Sequence, residues 1–385
     1  MLLDTARRGH PVPTRLLHQL ADSGDPALFR DLVEPLCDSF DPASCEAYVS
    51  LFPEIIAHLT PEYSSAALRE RYARVRRPRL FQGPDPDDIY VLSRVTLGAD
   101  IAVTSTVLDA MKKRFPSARV HFVGSTRNFE LLSGDPRIHY VPAPYARAGT
   151  VASRIEAGLA LKDVLGKGIV IDPDSRLTQL GLLPICPEEQ YFFFESRSYH
   201  QESTCNLATL TAQWLEEAFG VAGARPYLAP SGPKIEAQIT LSLGVGENPN
   251  KRIADPFESE LIRNLVSRGL HLLIDYGAGG EESERVERAI AAANAHPGQI
   301  QTWRGAFAPF AASILASRLY IGYDSAGQHV ASAGGVPHVT VFAGAVNDRF
   351  FERWRTGGRT IRVHNANPAP VLLETLSAVD EMLRG

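Results

Sequence analysis

The chain has 385 residues, 44% hydrophobic and 22% charged, which allows sizeable buried cores and excludes a disordered polymer. Its net charge of −5, with no basic stripe, excludes a nucleic-acid binder. No apolar run reaches the ~18 residues of a membrane span, and MLLDTARRGHPVP at the start lacks the apolar stretch of a signal peptide, so a cytoplasmic protein is expected.

At ~150 residues per domain the length predicts two to three domains. Residues 1–82 contain no convincing strand. Apolar residues recur at helical spacing in TRLLHQLADSG, ALFRDLVEPLCDSF, CEAYVSLFPEIIAHL and SSAALRERYARV, with Ser, Asp and Pro between the runs. A helical unit is expected there, closed by the turn-rich linker Phe81–Asp88. The basic stretch RYARVRRPR reads as a solvated helix end. The alternative is peripheral contact with the anionic face of the inner membrane.

From Ile89 the pattern changes to short apolar runs alternating with helical periods: IYVLSRV, IAVTSTVLDAMKKRF, ARVHFVG, STRNFELLSG, RIHYVPAP, helix 151–165, GIVIDPDS, QYFFFES and NLATLTAQWLEEAFG. Such alternation predicts a parallel sheet covered on both faces. After a break at ARPYLAPSGPK it restarts with AQITLSLGV and runs through LHLLIDYG, QIQTW, LYIGYD and HVTVFAG, with helices between, to the last helix APVLLETLSAVDEMLR. The expected organisation is a helical unit over 1–82 and two Rossmann-like α/β domains over 83–229 and 230–385. Ligands of such sheets sit at the carboxyl ends of the strands, and the cleft between two tandem sheets is the expected site.

Cys37, Cys45, Cys186 and Cys205 show no C-x-x-C spacing, so neither a zinc ribbon nor a redox pair is indicated, and buried free thiols are expected at Cys37 and Cys45. Three strand-end loops in the second half carry residues suited to a nucleotide. SLGVGENPNKR offers Gly244 and Gly246 for close backbone approach and Lys251 as a point charge for phosphate. DYGAGGEESER brings glycines and Glu281 or Glu282 to a helix start, where a carboxylate accepts from a ribose diol or merely balances the helix dipole. In YDSAGQHV, Asp324 ends a strand and Ser325, Ala326 and Gly327 open a helix. Their N–H groups either hold an anion or are capped, and His329 lies one turn in. Together the loops point to a bound nucleoside diphosphate. In the first half, Asp100 at a helix start is either a cap or a general base.

DSAGQHVASAGGVPHVTVFAG together with LGADIAVTSTVLDAMKKRFPSARVHFVG resembles glycosyltransferase family 9, the bacterial heptosyltransferase-like enzymes, over roughly residues 88–365. The resemblance implies a GT-B fold of two Rossmann-like domains facing a cleft, with the N-terminal helical unit as an addition. It implies Asp100 as catalytic base, Lys251 near the donor phosphates, Glu281 on the ribose, and Asp324, Ser325, Ala326, Gly327 and His329 around the diphosphate. Two departures stand out. Ala326 holds the place where the family has glycine, with Gly327 one later, and Ala99 separates Gly98 from Asp100. The reaction implied is inverting transfer from a nucleotide diphosphate sugar, by default an ADP-heptose, to a glycan or lipopolysaccharide-core hydroxyl. No tightly bound cofactor and no metal are expected. The D-x-D spacing of Asp172–Asp174 contains Pro173 and reads as a turn. The rival readings are a nucleotide-sugar epimerase and a catalytically silent nucleotide- or glycan-binding protein. A Rossmann dehydrogenase is disfavoured because no G-x-G-x-x-G follows a first strand.

Overall fold

The alternation of short apolar runs with helical periods does produce two parallel sheets. The computed structural model describes residues 2–8, 12–25, 27–145, 148–245, 249–277, 279–344, 347–364 and 367–384. They form two compact units. The first comprises Met1–Phe129, Asp135–Pro226 and Asn347–Trp354, and the second Glu130–Gly134, Tyr227–Val346 and Arg355–Gly385.

In the first unit, strands β1 (Asp88–Leu92), β2 (Arg119–Gly124), β3 (Ile138–Pro142), β4 (Ile169–Asp172) and β5 (Tyr191–Phe193) form an all-parallel sheet in the order β3-β2-β1-β4-β5. Chain order reverses between β1 and β4. Both are buried on both faces, β4 throughout, and this is why they read as unbroken apolar runs rather than alternating ones.

The helices of residues 1–82 share a core with this sheet. Leu17, Tyr48, Phe52, Ile55, Ile56 and Tyr72 belong to the same buried cluster as Tyr90, Leu92, Val170, Tyr191 and Phe193. The helices start where the sequence offers caps: the Asp41 carboxylate accepts from the Ser44 N–H at 2.8 Å, and the Ser64 hydroxyl from the Ala67 N–H at 3.2 Å. Buried polar contacts tie them to the segment around β4 and β5. Tyr48 donates to the Gln179 carbonyl (2.9 Å), Arg71 to the Gly181 carbonyl (2.8 Å) and Tyr72 to Glu195 (2.7 Å). The basic stretch is a solvated helix end in part, with Arg74, Arg77 and Arg79 exposed. Arg71 is buried, Arg74 pairs with Glu188, Arg76 with Glu46 and Glu195, and Arg79 donates to the Glu188 and Glu189 carbonyls.

In the second unit, β6 (Ile239–Ser242), β7 (Leu272–Asp275), β8 (Ile300–Trp303), β9 (Leu319–Tyr323), β10 (His338–Phe342) and β11 (Arg359–Arg362) form a parallel sheet in the order β11-β10-β9-β6-β7-β8. Here the order reverses between β9 and β6. Central β9 and β10 are buried at every position, whereas edge β8 is partly exposed. Strand β11 and, in the first unit, helix Asp348–Trp354 are additions to the sequence reading. All four cysteines are free, Cys37 and Cys45 fully buried. No described helix is long and apolar enough to cross a membrane.

Candidate functional site

In a doubly wound sheet the crevice opens at the carboxyl ends of the strands where their order reverses. In the second unit that point lies between β6 and β9. Lys251 follows β6 in the short turn Pro249–Lys251, and Asp324 follows β9 directly. Their side chains meet: Lys251 Nζ stands 2.6 Å from Asp324 Oδ2, with the lysine about a quarter exposed and the aspartate buried. Gln328, one turn into the next helix, donates from Nε2 to Asp324 Oδ1 at 2.5 Å. Asp324 is thus held by a cation and an amide, and a lysine ammonium is left at the mouth of the crevice.

Helix Ala326–Ala333 begins at Ser325, whose backbone is extended and whose hydroxyl makes no capping bond. The first N–H groups of the helix are therefore not met by the side chain that most often meets them. Ser325 Oγ is itself buried without a hydrogen-bond partner among the described residues. His329, on the first turn, is buried, and that burial pushes its pKa down to about 4. The Asp324 charge works against the shift, and His338 and Lys251 add to it. At neutral pH the ring is uncharged.

The β7 loop contributes differently from expectation. Glu281 is exposed at the start of helix Gly280–Ala292, whereas Glu282 turns back and accepts from the Val245 N–H at 2.8 Å. A side chain on Gly244 or Gly277 would collide with the Glu282 carboxylate, so these glycines make room for it. Gly246 lies outside the described residues. Asp275, at the end of β7, has its pKa raised by burial and receives the Ser242 hydroxyl at 3.3 Å.

At the β1–β4 switch point of the first unit, Asp100 follows β1 on a one-turn helix that widens into a π-turn over Asp100–Thr104. Its carboxylate is buried and takes four hydrogen bonds. Oδ1 accepts from the Arg94 N–H (2.6 Å) and the Thr104 hydroxyl (2.6 Å), and Oδ2 from the Ser93 hydroxyl (2.6 Å) and the Asn128 amide (2.5 Å). Burial raises its pKa, and these donors oppose the rise. Arg94 reaches past it to the Pro173 carbonyl (2.9 Å) and the Ser196 hydroxyl (2.7 Å).

Asp172 and Asp174 both accept internal hydrogen bonds, Asp174 through Oδ2 alone, its Oδ1 being buried without a partner among the described residues. Asp172 accepts from the Ser175 N–H, Thr178 and Tyr191, and Asp174 from Ser196 and Arg197. Asp174 has a left-handed backbone (φ 67°), as a turn requires. Among the described residues no group of three or more His, Cys, Asp or Glu side chains is placed to hold a metal ion.

Known structures share this fold. A glycosyltransferase family 9 protein from Veillonella parvula superimposes with a TM-score of 0.56 at 16% identity, over 77% of this chain and 97% of its own. The chain has the glycosyltransferase family 9 fold. The E. coli heptosyltransferase WaaC, solved with ADP-2-deoxy-2-fluoro heptose, superimposes at 0.54 with 13% identity, over 74% of this chain and 99% of its own. The E. coli ADP-heptose lps heptosyltransferase II gives 0.53 at 17%, over 76% and 99%. These neighbours are GT-B glycosyltransferases, and the heptosyltransferase-like α/β fold expected from the sequence is the one observed. No family model matches the chain, and no curated protein matches it.

The sequence reading missed Tyr320, Gln328 and Ser242. Their signal lies in strand parity and helix periodicity: Tyr320 and Gly322 share a face of β9, and Gln328 sits one turn from Asp324.

Proposed function

We propose that the chain is a glycosyltransferase that moves a sugar, by default a heptose, from a nucleotide diphosphate donor to a hydroxyl acceptor with inversion. The observation that carries this reading is the Lys251–Asp324 pair beside an uncapped helix start at the β6–β9 switch point. A lysine charge and open N–H groups at one strand end form the electrostatic complement of a leaving diphosphate. The donor lies along the second sheet, with its phosphates met by Lys251 and the N–H groups of Ser325, Ala326 and Gly327 and without a divalent ion. Glu281, exposed at the helix start, is the acid proposed for the ribose, and Glu282, turned toward the glycine loop, is the alternative. ADP-heptose is the default donor because WaaC is solved with an ADP-heptose analogue. The default acceptor is a glycan or lipopolysaccharide-core hydroxyl, and the site of action is the cytoplasm.

Asp100 is the proposed base. The acceptor hydroxyl attacks the anomeric carbon, its proton passes to the Asp100 carboxylate, and the bond from that carbon to the diphosphate breaks. Because both Asp100 oxygens already accept two donors each, one of them has to turn away first. The Ser93 and Thr104 hydroxyls can do so by rotating about a single bond.

The same four donors favour a second reading, a nucleotide- or glycan-binding protein without transfer, in which Asp100 is purely structural. Transfer of labelled sugar from ADP-heptose to a lipopolysaccharide-core acceptor separates the two. Labelled product that depends on Asp100 supports the transferase, whereas nucleotide binding with no product from any donor–acceptor pair supports the second reading.

A further inference from the structure

Tyr320 is fully buried on β9, and its hydroxyl has no hydrogen-bond partner among the described residues. In a strand, residues two apart share a face. The tyrosine ring therefore runs along β9 over Gly322 toward the carboxyl end of the sheet. A side chain on Gly322 would collide with the tyrosine hydroxyl and with the Ser242 carbonyl, and a side chain on Gly327 would strike the hydroxyl and the ring carbon that bears it. Two glycines, one on the strand and one in the first turn of helix Ala326–Ala333, thus leave room for one hydroxyl. The glycine displaced from position 326 to 327 stands where Tyr320 needs it.

A buried hydroxyl without a partner destabilises a fold, because its lost hydration is not replaced. Here it is accompanied by a second one, Ser325 Oγ, at the start of the same helix. Ser242 is register-paired with Gly322 across the β6–β9 switch point, which places the whole group at the mouth of the crevice. Two buried hydroxyls at one helix start each lack an acceptor among the described residues. An anionic oxygen at the open helix start supplies it and polarises both bonds.

We infer that Tyr320 is a positioning residue for the diphosphate: its hydroxyl, seated under the helix start by Gly322 and Gly327, donates to Ser325 and so turns the Ser325 hydroxyl toward a phosphate oxygen. This rests on the proposed nucleotide-sugar site and adds to it a residue that touches the ligand only through another.

The test is a double-mutant cycle of Tyr320→Phe, Ser325→Ala and the pair. It is read by titration calorimetry with ADP, UDP, GDP, dTDP, CDP and inorganic pyrophosphate, and by the ligand-free melting temperature. The expected result is that Tyr320→Phe weakens the diphosphate that binds wild type about 3- to 10-fold, while the ligand-free melting temperature stays level or rises because an unpartnered hydroxyl has been removed. The double variant should bind no more weakly than Ser325→Ala alone, since Tyr320 acts through Ser325. Unchanged affinity in Tyr320→Phe overturns the inference, as does additive weakening in the pair or a lowered melting temperature with intact affinity. In those cases the nucleotide-sugar reading still stands. If wild type binds none of the six ligands, that reading falls and this inference falls with it.

Discussion

Two aspartates of similar sequence context, each just past a strand, end in different electrostatic settings. Asp324 is paired with a lysine, whereas the hydrogen bonds to Asp100 come from neutral donors. Replacing Asp100 by Asn puts an amide N–H₂ where two donors already point. Transfer should fall at least ~100-fold, and stability by about 1–3 kcal/mol, while nucleotide diphosphate affinity is unchanged. A variant that keeps the wild-type transfer rate removes Asp100 as the base. Lys251→Ala leaves Asp324 with the Gln328 amide alone. It should weaken diphosphate binding at least ~10-fold and, because one partner of a largely buried pair is lost, destabilise the fold by about 3 kcal/mol. Calorimetry on protein shown by circular dichroism to be folded keeps the two effects apart. His329 sets a pH dependence. Above its unfolded value of 6.5 neither state is protonated; between 6.5 and the folded value of about 4 only the unfolded chain takes the proton. Stability therefore falls as pH drops through that window, by at most about 3 kcal/mol, and His329→Asn should flatten the melting-temperature profile there.

At the scale of elements, helix Ala326–Ala333 shows why local rules do not settle a site. Asp-Ser before a helix reads equally as a cap and as an anion cradle, and the choice depends on where two side chains point. Ser325 turns away from capping and Asp324 turns to Lys251, so neither side chain caps the helix start. The glycine shift is likewise opaque in one dimension. Alanine is the better helix former, yet Gly327→Ala drives a methyl group into the Tyr320 hydroxyl and ring. It should destabilise by about 1–3 kcal/mol on denaturant titration, as overpacking does; a gain in stability would show that the tyrosine can move. The Asp348–Trp354 helix and β11 escaped the sequence reading because both are short. The helix carries aromatic residues that are only partly buried on their own element, and β11 is an edge strand with a single fully buried residue, so neither shows the periodicity that marks longer elements.

At the scale of the molecule, the N-terminal helices cannot be treated as an appendage. Their apolar faces and the outer face of the β4–β5 region form one buried cluster, tied by Tyr48, Arg71 and Tyr72. A chain beginning at residue 83 would expose that cluster and should be insoluble or molten by near-ultraviolet circular dichroism; a soluble, cooperatively melting truncation would show that the helices are dispensable to the first sheet. What the sequence by itself determined is the class of fold and the order of its elements, because hydrophobic periodicity is a local property that survives without knowledge of contacts. It also placed Lys251, Asp324, Ser325 and Asp100 at strand ends, since strand ends are marked by the switch from apolar runs to turn formers. Only the tertiary structure decided that β6 and β9 are neighbours, that Lys251 therefore meets Asp324, that Glu282 turns inward while Glu281 stays exposed, and that Tyr320 lies beneath the helix start. Each of these depends on strand order and side-chain direction across many residues of sequence separation, and no one-dimensional pattern encodes them.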